Sequence, residues 1–215
     1  MLGYVLELYL YYLKCGEGII MFCCNCGNQL LVSANFCSEC GQKVLVQVVD
    51  YNKLQKINNL MFYEGKAFTG SGVTYYCNGQ KRHEETFSNG LGHGTWCHWY
   101  ENGKKAQEIR YLSNEFDGLE VEWFENGQKK NEVSWSKGVL SGLGTSWYEN
   151  GQKEGEVIYS EGKKHGCETL WYESGQMYSK GNWLHGVQVG HWIIWKTNGQ
   201  KKWDGNYQHG EMVLE

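Results

Sequence analysis

Proline is absent from these 215 residues, so every turn must be written with other residues. No G-x-S-x-G, Walker-type, H-E-x-x-H or dinucleotide-type glycine pattern occurs. That removes the usual sequence marks of hydrolytic, phosphate-handling and nicotinamide chemistry. Basic excess is missing too. The net charge is −4, with four lysines and four acidic residues in 1–62 and 16 basic against 20 acidic residues in 63–215. A mildly acidic chain carries no overall footprint for nucleic acid, and without a basic stripe it is poorly suited to an anionic membrane surface. Long apolar runs are also lacking. The run at residues 2–13 is about 12 residues, short of the ~20 that span a bilayer as a helix. It has neither the basic start nor the small-residue cleavage site of a signal peptide.

What is present is repetition. A turn recurs at Asn78-Gly79, Asn102-Gly103, Asn126-Gly127, Asn150-Gly151, Ser174-Gly175 and Asn198-Gly199, each glycine 24 residues after the last. A second glycine runs nine residues ahead of it at Gly70, Gly94, Gly118, Gly142, Gly166 and Gly190. Such self-similarity marks a repeat architecture. Gly is abundant at 29 residues, and its regular placement fits repeated turns rather than disorder.

Two aromatic columns keep the same register. Tyr75, Trp99, Trp123, Trp147, Trp171 and Trp195 precede the turn; Phe87, Tyr111, Trp135, Tyr159, Trp183 and Tyr207 follow it. Asn-Gly between β-type runs predicts a hairpin with a type I′ turn, in which both central residues take positive φ. Each unit therefore reads as strand, tight turn, strand, and the leading glycines predict bulges or positive φ. Period-two alternation places Leu119, Val121 and Trp123 on one face with Val133 and Trp135, and Glu120, Glu122, Phe124 and Glu132 on the other. Two strands per unit give a rise of about 10 Å per repeat. The fold class that follows is mostly β: an elongated antiparallel β-hairpin array of 24-residue units with a small N-terminal zinc ribbon. Core packing accounts for most of the aromatic columns; part of one line left open would form a binding groove.

The zinc ribbon is read from Cys23-x-x-Cys26-Gly27 and Cys37-x-x-Cys40-Gly41. Two such pairs in a short polar segment point to one structural zinc ion held by Cys23, Cys26, Cys37 and Cys40, with no coordination site left open for water. A segment this small takes most of its folding energy from the metal. A disulfide pair or free thiols is the bland alternative. The pattern resembles a bacterial-type zinc ribbon over about 24 residues. Cys24 departs from it and leaves two readings of the first ligand, of which Cys23 restores the symmetric spacing.

The expected organisation is an N-terminal extension at 1–20, the ribbon at 21–46, a linker at 47–62 and the array at 63–215. Residues 1–20 fit no targeting class, and Gly16-Glu17-Gly18 requires purine-rich codons of the kind found just upstream of a bacterial start. Translation beginning at Met21 is therefore expected, and an intact mass from the native host that includes Met1 would refute it.

The recurring G-x-x-x-x-W-Y-x-N-G-Q-K-x-x-E-x-x-Y, clearest in residues 142–159 (GLGTSWYENGQKEGEVIY) and 166–178 (GCETLWYESGQMY), resembles the bacterial variant of MORN repeats. The resemblance covers about two thirds of the chain and implies an elongated antiparallel array. Some bacterial members are labelled antitoxin-like, and eukaryotic MORN proteins are linked to protein assembly and less securely to lipid.

No catalytic cluster emerges. His93, His165, His185 and His209 each precede a glycine and read as far-turn residues, and Cys77, Cys97 and Cys167 occupy three different columns. The expectation is a non-enzymatic cytoplasmic scaffold that binds another protein through one sheet face. The line Tyr100, Phe124, Tyr148 and Tyr172 beside Glu108, Glu132 and Glu156 is the candidate surface, with aromatics for contact area and carboxylates for register. Tyr148→Ala with Tyr172→Ala is the test drawn from sequence. An antitoxin-like neutraliser, a membrane-surface module and an enzyme built on drifted copies are the rivals; self-association stays open, and nucleic acid is disfavoured.

Overall fold

The computed structural model describes residues 21–22, 29–30 and 47–213. The chain divides into two compact units, 1–46 and 47–215. In the first, Met21–Phe22 pairs antiparallel with Gln29–Leu30.

The second unit is dominated by one 16-stranded sheet in which the repeats follow one another in chain order. Leading strands are Gly70–Tyr75, Gly94–Trp99, Glu115–Trp123, Gly142–Trp147, Lys163–Trp171 and Val187–Trp195. Return strands are Lys81–Ser88, Lys105–Leu112, Lys129–Ser136, Lys153–Ser160, Met177–Leu184 and Lys201–Gln208. The hairpin array expected from the 24-residue period is thus present, and every repeat pairing is antiparallel. The exception to that sense lies outside the repeats, where Gln47–Asp50 adds to Gly70–Tyr75 in parallel.

The turns are exchanged relative to the sequence reading. At the Asn-Gly end the Gly103 N–H donates to the Tyr100 carbonyl at 2.9 Å and the Tyr100 N–H to the Lys104 carbonyl at 2.8 Å. Gly103 has φ 82°, whereas Asn102 is not among the positive-φ residues. This is a three-residue loop, a type I turn closed by a glycine bulge. The two-residue type I′ turns lie at the other end, where both central residues are left-handed: Lys137 (φ 48°) with Gly138 (75°), and likewise Glu161-Gly162, His185-Gly186 and His209-Gly210. His185 and His209 therefore are far-turn residues, but His165 lies inside a strand and His93 directly precedes one. Ser113-Asn114 makes the same turn without glycine, because asparagine tolerates this backbone.

Residues 47–62 are not a free linker. Tyr51–Lys53 is a short 3-10 helix capped by Asp50, and Gln55–Ile57, Leu60–Tyr63 and Lys66–Ala67 form a three-stranded sheet. Met61, Phe68 and Phe87 are buried together, with Val49, Tyr51, Leu54, Tyr63 and Trp96 packed on them. These apolar side chains cap the first repeat, which is why the segment folds instead of spanning a gap.

Register also corrects the assignment of faces. Directly opposed residues share a face, and Val121 opposes Glu132 while Glu120 opposes Val133. The two aromatic columns therefore lie on opposite faces, and Glu132 sits with Val121 and Trp123. On the second face the later column packs ring to ring: Phe87–Trp96 5.5 Å, Trp96–Tyr111 3.9 Å, Tyr111–Phe116 4.8 Å and Phe116–Trp135 5.0 Å between centroids. A second run joins Trp183, Trp192 and Tyr207. Trp192 is 4 % exposed and lies flat on Gly181, where a Cβ would fall inside its ring.

Candidate functional site

On the first face one residue from each strand forms a continuous row: Val73, Glu84, Cys97, Glu108, Val121, Glu132, Thr145, Glu156, Thr169, Lys180, Ile193 and Asp204. The predicted glutamates thus stand in line on alternate strands, about 10 Å apart. Each is held by a lysine three residues earlier. Lys81–Glu84 spans 2.7 Å, Lys105–Glu108 and Lys129–Glu132 2.5 Å each, and Lys153 binds Glu156. The lysines also reach the next repeat, with Lys81 over Trp99, Lys105 over Trp123 and Lys129 over Trp147 at 5.2 to 6.0 Å from the ring centroids. The face is therefore striped with tryptophan, lysine and glutamate. Its ion pairs are partly exposed, so they set register more than stability.

The predicted tyrosine line lies elsewhere and has a second role. Tyr100 Oη donates to the Trp123 carbonyl at 2.7 Å; Tyr148 and Tyr172 donate to Trp171 and Trp195 at 2.8 Å, and Tyr76 to Trp99 at 2.8 Å. Each hydroxyl ties one hairpin end to the next repeat. Phe124 holds the same column without a hydroxyl. Tyr148 is shifted upward in pKa by burial, then by Glu154 and Glu173, which keeps its hydroxyl a donor. So the structure groups Glu108, Glu132 and Glu156 with the tryptophan column and leaves Tyr100, Phe124, Tyr148 and Tyr172 as the hairpin-end ladder.

Sequence reasoning missed the work of the asparagines. Asn126 Oδ1 accepts from the Gln128 N–H at 2.8 Å while Nδ2 donates to the Glu149 carbonyl at 2.8 Å. Asn78, Asn102 and Asn150 repeat both bonds. Their strict recurrence was visible; the cross-repeat bond was not.

The second face holds buried polar groups that also escaped notice. Glu168, 4 % exposed, accepts from Trp183 Nε1 at 3.0 Å and pairs with Lys164. Glu120 accepts from Trp135 Nε1 at 2.7 Å. His83 and His98 stack at 5.6 Å, Tyr51 lies edge-on to His83 at 4.7 Å, and Thr74 Oγ1 is 2.9 Å from His83 Nδ1. Burial lowers both imidazole pKa values, and the neighbouring Arg82 lowers them further. Glu85 nearby is raised by burial despite its bond to Tyr51, whose phenol is pushed up to about 12 by burial and by Glu85. Burial and Glu108 push the Cys97 thiol up to about 12, so it is no nucleophile.

Cys23, Cys26, Cys37 and Cys40 lie outside the described residues. Among the described residues no three His, Cys, Asp or Glu side chains are grouped to hold a metal ion. No helix among them is long and apolar enough to cross a membrane.

Fold and face together define a tandem β-hairpin repeat protein in which each copy is stapled to the next. The family described as MORN repeat variant matches residues 92–112, 116–137, 140–161 and 164–185, so the chain carries four tandem segments of that kind. The flanking copies beginning at Gly70 and Gly190 follow the same register and are tied in by Tyr76 and Tyr172. No curated protein matches the chain. Among solved structures it is similar to the Glycosylation Associate Protein (Gap123) complex from Streptococcus agalactiae, at 12 % identity and a TM-score of 0.28 over 70 % of this chain and 22 % of that one. The chain therefore spans about a fifth of that chain's length.

Proposed function

We propose that this protein is a non-enzymatic cytoplasmic scaffold that captures another protein on the tryptophan–lysine–glutamate face of its repeat sheet. The observation that carries this reading is the row itself: the same charged pair recurs at Glu84, Glu108, Glu132 and Glu156, and the first three of its lysines lie over a tryptophan in the next copy. A surface repeating at about 10 Å intervals suits a partner that meets several copies at once, where weak contacts add. MORN repeats are commonly found in protein- and membrane-binding scaffolds, and the alternating lysines and glutamates favour a protein whose own charges alternate to match.

The test is affinity capture from host lysate with wild type against Glu132→Lys with Glu156→Lys. These side chains are surface-paired, so losing each pair costs about 0–1 kcal/mol, and the like-charge contact with Lys129 or Lys153 adds a similar, solvent-screened amount. We expect the partner to be lost while the melting curve holds; retention by the reversed variant would place the docking face elsewhere. Tyr148→Ala with Tyr172→Ala is a poor control, since it also removes two hydroxyl staples.

We also propose that Cys23, Cys26, Cys37 and Cys40 hold one structural zinc. In support, the pairing of Met21–Phe22 with Gln29–Leu30 brings together the two ends of the segment that carries Cys23 and Cys26. Elemental analysis of protein purified without added metal is expected to give one zinc per chain, and Cys37→Ser with Cys40→Ser to give none. A zinc-free wild type would refute the assignment.

A further inference from the structure

The acidic row changes sign once. At the fifth return strand the lysine–glutamate pair is replaced by Met177 and Lys180. Lys180 opposes Thr169 on one side and Ile193 on the other, so neither neighbour offers a carboxylate. The nearby acids are already engaged. Asp204 binds Lys201 and accepts from His191 at 2.5 Å, and its pKa is held low by the Lys201 hydrogen bond first and His191 second. Glu168 is bound by Lys164 and Trp183 on the other face. Lys180 has no ion-pair partner among the described residues.

Around Lys180 the register holds but the residue types differ from those of the earlier copies. Cys167, Asn182, His191 and Ile193 line a shallow cavity of about 210 Å³ with it. The lining offers the Lys180 ammonium and the two N–H groups of the Asn182 amide, and His191 is held in the wall by its bond to Asp204. An amine without a counter-ion beside such donors binds an anion better than a neutral ligand.

We propose that the Lys180 cavity is a site for an oxyanion, a carboxylate or a phosphate, borne by a ligand of side-chain size. Lys180 supplies the charge, Asn182 supplies a directional hydrogen bond, and Cys167, His191 and Ile193 form the wall. The site does not depend on the acidic row docking a protein.

Cys167 is exposed in the wall and serves as the reporter, with exposed Cys77 outside the cavity as the internal reference. The full chain is alkylated with neutral iodoacetamide, and modification at each cysteine is followed by peptide mass spectrometry. Inorganic phosphate is titrated against sodium chloride of matched ionic strength, and acetate is run as a second arm. If only the empty site reacts, anion at twice its dissociation constant slows Cys167 about threefold relative to Cys77. Protection by acetate identifies carboxylate as sufficient, and protection by phosphate alone identifies a phosphoryl ligand. Lys180→Glu restores the residue that this column carries in four earlier copies, so it is compatible with the fold, and it is expected to abolish protection. A Cys167 to Cys77 ratio indifferent to both anions, or equal protection in Lys180→Glu, overturns the proposal.

Discussion

Glu85, His83 and His98 sit within one patch under Tyr51, and their protonation is coupled to folding in opposite directions. Both histidines have folded pKa values below 6.5, so the unfolded chain takes up protons first as pH falls. Their contribution is complete above about pH 6.5 and is lost as pH falls from there through the folded values. Glu85 is raised above 4.5, so its folded form takes up a proton first, and the stability this adds is complete only below about pH 4.5 and is lost as pH rises through the folded value. With two histidines against one carboxyl, the melting temperature is expected to fall between about pH 7.5 and about pH 5.5. His83→Gln with His98→Gln is expected to remove most of that fall; a wild-type curve that is flat or rises over this interval would show that the pair does not resist protonation.

The element that matters is the hairpin together with the bonds to the next hairpin. The Asn-Gly end carries the asparagine and tyrosine bonds, and the far end carries backbone bonds such as Gly138 N–H to the Phe116 carbonyl at 2.8 Å and Gly162 N–H to Leu140 at 3.0 Å. Each unit thus rests on its neighbours, as in other quasi-one-dimensional folds. Asn126→Asp separates the two asparagine functions. It keeps the acceptor for the Gln128 N–H and loses the donor to the Glu149 carbonyl. Loss of that bond is expected to cost about 1 kcal/mol, read from denaturant midpoints. If the residue served only the turn, Asp would be neutral.

At the scale of the molecule, the start of the sheet needs a cap because Gly70–Tyr75 would otherwise present a bare edge. Gln47–Asp50 and the cluster of Met61, Phe68 and Phe87 supply it. A chain beginning at residue 47 is expected to melt cooperatively, whereas one beginning at residue 70 loses Phe68 and Met61, worth about 1.5–3 kcal/mol each on burial. Light scattering and thermal melts compare the two. Equal melting and equal monodispersity would mean that the cap is dispensable.

The repeat period, the hairpin unit, the aromatic columns and the carboxylate line were all legible in sequence, because each is a local pattern copied at fixed spacing. Which hairpin end takes which turn was not legible: Asn-Gly and Lys-Gly each supply a glycine, and only the pairing of Tyr100 with Lys104 makes the first a three-residue loop. Alternation also failed across the turn. The loop and the register shift beside each tryptophan, as between Glu122 and Trp123, change the count between strands, so Glu132 meets Val121 rather than Glu120. Residues 47–62 lacked any period, and their folding depends on contacts with Phe68 and Phe87 that no local window contains. The Lys180 cavity was visible only as a break in the glutamate line, a lysine standing in a column otherwise acidic. By itself the sequence determined what each copy is, since period and turn chemistry are local; the tertiary structure decided which side chains share a face, since that depends on strand register set by hydrogen bonds between distant residues.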